Sequence, residues 1–273
     1  MSKVILITGA TKGFGKIWAE AFLKRGDRVV AAGRNSEALQ ELKKQYGDLV
    51  LPIQLDVNDR KAAFEAVNKA KDHFGRIDVL INNAGYGLFG AVEETSEEEA
   101  RNQMETNFFG VLWLSQAVLP IMREQKSGHI IQVSSFLGLV TLPVLGLYNA
   151  SKFAVEGLSE TLASEVKGFG INVSLVEPNG YTTDWSGESA FQTKSMSVYD
   201  PVKAGFNEAV STPGIFGKPE ATAPVILKLV DAAEPPLRLL LGSFAYPAVT
   251  KVYEERLQSF AEWKTVSDEA HGA

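Results

Sequence analysis

Short apolar runs alternate along this chain with longer stretches in which apolar positions recur every three or four residues. Lys3–Thr8 (Lys-Val-Ile-Leu-Ile-Thr), Arg28–Ala32, Val50–Leu55, Asp78–Ile81, Gly128–Val133, Ile171–Val176 and Leu237–Leu241 read as seven strands. A run that is apolar at successive positions suits a strand covered on both faces, as in a parallel sheet. Between these runs a helical period is carried by Ile17, Ala21, Phe22 and Leu23 up to Gly26, and by Ser36–Tyr46, Asp59–Phe74, Ser96–Met122, Ala150–Val166 and Tyr246–Val266. Ser96 followed three residues later by Glu99 is a helix-start pattern. The βα alternation, with no internal repeat and no linker, predicts a single α/β domain over 1–273 built on one doubly wound sheet. From Thr183 to about Pro224 the pattern breaks, with Gly, Ser, Thr and Pro interleaved with Trp185, Phe191, Met196, Tyr199 and Phe206. A long irregular segment carrying large apolar residues is expected to be a lid or binding loop, here about 184–224. Residues 267–273 are expected to be a disordered tail.

Composition narrows the function classes. The 273 residues carry a net charge of -6 and no basic stripe, which argues against a nucleic-acid partner. There is no cysteine, so disulfides, thiolate catalysis and cysteine metal sites are excluded. The three histidines, His73, His129 and His271, are far apart and in no ligand spacing, and no metal site is expected. The longest apolar stretch, Val111–Met122, is interrupted by Ser115, Gln116 and Pro120 and is too short to span a bilayer. With no basic-apolar leader before the first strand, the expected setting is cytoplasmic, without membrane insertion.

Candidate chemistry sits where strands end. After the first strand comes Gly9-Ala10-Thr11-Lys12-Gly13-Phe14-Gly15 and then a helix. Glycines let backbone approach a diphosphate, and a helix N-terminus favours the anion. The spacing is Gly-x3-Gly-x-Gly, not Gly-x-Gly-x2-Gly, and at this place it favours nucleotide binding over a structural turn. The second strand ends at Gly33-Arg34-Asn35, where a carboxylate would be expected to meet an NAD ribose. Arg34 and Lys12 there favour a 2′-phosphate, hence NADP. The third strand closes on Asp56-Val57, and the fourth runs into Asn82-Asn83-Ala84-Gly85. Asn107 interrupts an apolar helix face between Met104 and Phe108. The fifth strand delivers Ser134-Ser135, and Tyr148-Asn149-Ala150-Ser151-Lys152 follows. Tyr148 and Lys152, four apart at the start of a helix, share one face, and a nearby cation stabilises a phenolate.

These motifs, in this order and spacing from residue 3 to about 184, resemble the classical short-chain dehydrogenase/reductase family. The resemblance implies a Rossmann-type fold with a seven-stranded parallel sheet. It implies that Tyr148 is the acid/base, that Ser135 holds the substrate oxygen, that Lys152 lowers the Tyr148 pKa and binds the nicotinamide ribose, and that Asn107 anchors a proton relay behind Lys152. Gly9, Thr11, Lys12, Gly13, Phe14 and Gly15 would face the diphosphate and ribose; Arg34 and Asn35 the 2′-phosphate; Asp56 and Val57 the adenine. Asn83, Ala84, Gly85, Pro178 and Thr183 would line the rest of the cofactor. Two departures stand out. Asn179 follows Pro178 where the family has Gly, and a charged terminal helix follows the last strand, as in steroid- and retinol-dehydrogenase-like members. That helix suggests a homodimer, through the helices carrying Asn107 and Tyr148, over a tetramer. Leu88, Phe136, Leu137, Leu142, Leu145 and Trp185 around the site predict a lipophilic ketone or aldehyde as substrate. An epimerase or dehydratase of the extended family is disfavoured by the glycine spacing and chain length. A redox-silent NADP-binding regulator is disfavoured because Asn107, Ser135, Tyr148 and Lys152 are all present.

Overall fold

Successive side chains of a strand point to opposite faces, so an all-apolar strand has to be covered twice. Strand β1 (Val4–Thr8) meets that requirement with all five residues buried. Val4 and Leu6 enter one apolar core, while Ile5 and Ile7 enter the other. The computed structural model, which describes residues 2–183, 185 and 190–272, builds both cores from helices laid on the two faces of one sheet. The remaining strands of that sheet are β2 (Arg28–Gly33), β3 (Val50–Gln54), β4 (Val79–Asn82), β6 (Gly128–Val133), β7 (Ile171–Pro178) and β9 (Arg238–Leu241). They run in the order β3-β2-β1-β4-β6-β7-β9, every pair parallel. This is the expected seven-stranded doubly wound sheet of the Rossmann type.

On one face lie α1 (Gly13–Arg25), α2 (Ser36–Tyr46) and α8 (Ala223–Asp231), which contribute Trp18, Phe22, Leu39 and Ile226. On the other lie α3 (Arg60–Phe74), α5 (Gly110–Gln125) and α6 (Gly146–Val166), which contribute Val67, Leu114, Met122 and Leu162. The chain leaves β1 in one direction towards β3 and leaves β4 in the other. The crevice at the carboxyl ends of these two strands is where a sheet of this kind binds ligands.

The elements depart from the sequence reading in four places. The helix expected over Ser96–Met122 starts as foreseen: the Ser96 hydroxyl accepts from the Glu99 amide at 3.3 Å, and the Glu99 carboxylate accepts from the Ser96 amide at 2.8 Å. It then divides into α4 (Glu97–Met104), a π segment (Glu105–Phe109) and α5. A widened turn of this kind often marks a functional position, and Asn107 sits in it, fully buried. The segment expected to be irregular over 184–224 carries structure of its own. Phe191–Gln192 (β8) pairs in parallel with Leu88–Phe89 (β5), and α7 (Asp200–Val210) begins with proline in its first turn, where a missing N–H does no harm. Asp184 and residues 186–189 of that stretch lie outside the described residues.

The terminal helix is divided at Trp263 into α9 (Ala245–Glu262) and α10 (Lys264–Glu269). Residues 267–269, expected to be disordered, are therefore helical, with Lys264 and Asp268 paired one turn apart. Finally, α6 begins at Gly146, so Tyr148 lies inside its first turn and not just before the helix. Among the described residues no helix is long and apolar enough to cross a membrane.

His129 on β6 is a core residue. Its Nε2 lies 2.9 Å from the Ser174 hydroxyl, which itself donates to the Pro236 carbonyl. Burial, with a smaller contribution from the Lys3 charge, pushes its pKa down from 6.5 to about 4. The unfolded chain therefore binds this proton near pH 6.5 while the folded chain does not until about pH 4. Stability present above pH 6.5 is lost as pH falls through that window, at up to about 1.4 kcal/mol per pH unit. Urea unfolding at pH 7 and pH 5 should show this fall in the wild type and a shallower one in His129→Gln.

Candidate active site

The glycine turn is shaped by sterics. Gly9 and Gly13 have φ of +65° and +52°, and a Cβ on Gly15 would sit 2.2 Å from the Gly9 carbonyl oxygen. The Asn83 amide donates to the carbonyls of Thr8 (2.9 Å) and Gly9 (3.3 Å), while the backbone N–H groups of Asn83 and Ala84 both donate to the Thr8 hydroxyl at 3.0 Å. The end of β4 thus holds the end of β1, and the Asn83 side chain is a buttress of the turn. At the start of α1, Lys12 provides no side-chain cap and the first turn holds no acidic residue. The positive end of the helix is left for an anion, which fits a diphosphate. Thr183 faces this turn, 3.9 Å from where a Gly13 Cβ would be. Phe14 points away from it, stacked on Trp18 at 5.1 Å and edge-on to Tyr181.

The other expected cofactor residues lie on the same edge of the sheet. Arg34 is exposed at the end of β2, and its charge acts on Tyr86 across the crevice. Asn35 caps α2, accepting from the Ala38 amide at 3.1 Å. The Asp56 carboxylate accepts from the Asn58 amide at 3.1 Å. Val57 is buried so close to α5 that a Cβ on Gly110 would come within 2.8 Å of it.

Tyr148, Lys152, Asn107 and Ser135 converge beyond β4 and β6. Lys152 is buried and donates to the Val133 carbonyl at 2.8 Å, with its ammonium 5.7 Å from the centre of the Tyr148 ring. Burial lowers the Lys152 pKa to about 8, against the opposing charge of Glu156. Asn107 donates to the Tyr86 carbonyl (3.0 Å) and the Ser151 hydroxyl (3.1 Å) and accepts from the Tyr86 amide (3.1 Å). Gly85 separates Asn107 from Lys152, since a Cβ there would lie 3.1 Å from Asn107 Oδ1 and 3.8 Å from Lys152 Nζ. Ser135 accepts from the Leu137 amide at 3.1 Å, and its hydroxyl donates to the Pro178 carbonyl at 3.4 Å. The Tyr148 pKa is raised, by burial, with only partial opposition from a hydrogen bond to Ser135.

Apolar side chains wall this group. Trp185 packs edge-on against Tyr148 at 4.8 Å and near Phe89 at 5.4 Å, over Gly87, whose Cβ would meet the indole at 2.6 Å. Phe136, Leu137 and Leu145 are buried in the same cluster, and Leu88 is buried next to Phe89. Leu142 instead borders an open groove with Pro143, Val144, Phe153 and Arg256. It is half-buried and also packs against the cluster that holds Tyr148, in a loop where Val144 takes φ +69°, a strained value for a β-branched residue. The Asn179 turn does not use left-handed backbone at Asn179; Gly242 does, at φ +102°, and its missing Cβ makes room for Asn179 Oδ1. The Asn179 amide donates to the carbonyls of Gly180 and Ile215.

Two contributors were missed from the sequence. Gln103, fully buried, donates to the Tyr86 carbonyl and accepts from the Leu88 amide. It lies one turn before Asn107, and two amides four apart on an apolar helix were the available signal. Arg256 donates to the Leu139 carbonyl at 2.7 Å and ties the terminal helix to the site wall, a contact with no local signature.

Comparisons with known proteins place the chain in one family. A family model described as short chain dehydrogenase matches residues 3–194. Oxidoreductase BOA17 of Botryotinia fuckeliana is 41% identical over 270 residues, covering 98% of each chain. The 3-ketodihydrosphingosine reductase of Bacteroides thetaiotaomicron is 44% identical over 185 residues, 67% of this chain and 66% of that one. A short-chain dehydrogenase from Streptomyces avermitilis superposes with a TM-score of 0.91 at 37% identity over 98% of both chains. A Burkholderia cenocepacia short chain dehydrogenase in complex with NADP gives a TM-score of 0.76 at 27% identity (96% and 97% of the two chains). A Burkholderia phymatum member in complex with NAD gives 0.80 at 26% (96% and 95%).

The glycine geometry is testable by contrast. Gly15→Ala should destabilise the fold by about 1–3 kcal/mol and abolish dinucleotide binding, because the methyl group meets backbone. Gly157→Ala, where nothing lies within 4 Å of the new Cβ, should stabilise by about 0.5–1 kcal/mol. Urea melts and fluorescence titration with NADPH check both.

Proposed function

The chain belongs to the short-chain dehydrogenase family, and on that premise we propose an NADP(H)-dependent oxidoreductase that interconverts a lipophilic ketone or aldehyde with its alcohol. The observation carrying this reading is Tyr148, buried beside Lys152 and Ser135 under the indole of Trp185. A bound nicotinamide dinucleotide supplies or accepts the hydride. The chain's own residues manage the proton and the orientation. Ser135 donates to the substrate oxygen once its weak 3.4 Å bond to the Pro178 carbonyl is exchanged. Tyr148, kept protonated by burial, gives its proton to the developing alkoxide in reduction and takes it back in oxidation. Lys152, anchored on Val133, presents a fixed cation that eases the charge left on the phenol. Asn107, held by Tyr86 and Ser151 in the widened turn, fixes the backbone behind Lys152 where a relay water would be bound.

The glycine turn and the start of α1 hold the diphosphate in this reading, and Arg34 with Lys12 holds a 2′-phosphate. Solved relatives carry either NADP or NAD, so the preference rests on those two cations. The substrate class draws on the apolar wall of Phe89, Phe136, Leu145 and Trp185 and on the ketone reductase among the relatives. In this reading the stretch over about 184–224 acts as the lid over that wall. It is fastened where the buried Glu94 carboxylate accepts from the Met196 amide at 2.6 Å and from Lys203. Assembly is read as a homodimer through the helices of Asn107 and Tyr148, on which Phe153 is 37% exposed.

Three measurements test the reading. A panel of aromatic and long-chain ketones should give NADPH oxidation, and no turnover with any of them would remove the activity. Tyr148→Phe should lower kcat by roughly 10²–10⁴-fold with NADPH binding kept. Arg34→Ala should weaken NADPH by about 10–100-fold and NADH much less, and equal losses would remove the cofactor preference.

A further inference from the structure

One turn along α6 from Lys152 lies Glu156, only 5% exposed, and facing it from β7 is Glu177, fully buried. Both Glu177 oxygens lack a hydrogen-bond partner among the described residues, and a buried carboxyl group so placed is favoured in its protonated form. Arg238 on β9 reaches both, with its Nε 3.1 Å from Glu156 Oε2 and 3.5 Å from Glu177 Oε1. Its Nη2 is taken by Glu160 at 2.9 Å, on the outer side. Glu156, by contrast, has the Ser134 hydroxyl beside it as well as the Arg238 guanidinium on Oε2. Two negative charges here would be unsupported, whereas one charge and one proton are matched by a single shared arginine. Gly138 closes the loop after Ser135 over the pair, a Cβ there lying 3.2 Å from Glu156 Oε1.

We propose that Glu156 and Glu177 form a one-proton acid pair in which Glu177 holds the proton and Glu156 the charge, and that Glu156 thereby acts as a positioning residue that keeps Lys152 an ammonium ion. This rests on the oxidoreductase reading above. The charged groups facing the pair are Lys152 and Glu160 from α6 and Arg238 from β9. Burial, reinforced by the Glu156 charge, raises the Glu177 pKa far above the usual carboxylate range. Burial lowers that of Lys152 to about 8, and Glu156 is the group that opposes the fall. Removing the charge at Glu156 therefore lets Lys152 lose its proton at lower pH. Removing the acid at Glu177 changes no charge, because that group is already neutral.

The test is the pH profile of kcat/KM for ketone reduction. E156Q should move the alkaline limb down by about one pH unit, a shift that corresponds to about 1.4 kcal/mol. E177Q should leave the limb in place. A limb unmoved in E156Q, or moved as far in E177Q, overturns the proposal. A second measurement needs neither cofactor nor substrate: carboxyl carbon NMR of the wild-type protein labelled at glutamate. One carboxyl resonance should keep its protonated shift through neutral pH and disappear in E177Q. If every glutamate is ionised at pH 7, the acid pair is refuted, whatever reaction the enzyme performs. If the NMR result holds and no ketone turns over, the oxidoreductase reading fails and the pair stands.

Discussion

An ammonium ion inside an apolar wall is the constraint on which this site depends. Lys152 loses most of its water on folding, and a buried cation is tolerated only where fixed dipoles or opposite charge replace that water. The Val133 carbonyl supplies one dipole from the end of β6, and Glu156 supplies charge from the next turn of the same helix. Gly85 is part of the solution because a side chain there would press on both Asn107 and Lys152. The π segment is another part, since it turns Asn107 inward to tie the Tyr86 backbone to Ser151, the residue before Lys152.

The sheet makes this concentration of polar groups affordable. Its two apolar cores leave the carboxyl edge as the region where polar groups from β1, β2, β4, β6 and β7 meet. Thr8, Asn83 and Ala84 knit β1 to β4 at the point where strand order reverses. Around that point the glycine turn and the group of Tyr148, Lys152, Ser135 and Asn107 lie at the same edge of the sheet. The segment over 190–222 is tied to the rest of the chain through Glu94 and the short β5–β8 pair.

Much of this was legible before folding. The seven strands fall within a residue or two of their apolar runs, because a doubly covered strand leaves a continuous signature. Ser135, Tyr148, Lys152 and Asn107 were legible as polar residues at strand ends or on apolar helix faces. What was not legible follows from contacts between distant parts of the chain. Gln103 and Arg256 act on backbone 15 and 117 residues away. Asn35 spends its side chain on a helix cap, a use that its place after the second strand did not show. The stretches over Asp200–Val210 and Lys264–Glu269 form helices that weak local patterns had hidden.

The sequence by itself determined the layers, the strand count, the place of the glycine turn and the face shared by Tyr148 and Lys152, since periodicity and i,i+4 spacing are local properties. Only the tertiary structure decided the electrostatics. Spacing placed the phenol and the ammonium on one face, but it did not contain the burial that raises the Tyr148 pKa and lowers that of Lys152. Desolvation depends on everything packed around a group, and that is a sum over the whole fold which no stretch of sequence contains. The same holds for Glu156, Glu177 and Arg238, three ordinary charged residues in the sequence that share one buried site because α6, β7 and β9 meet there.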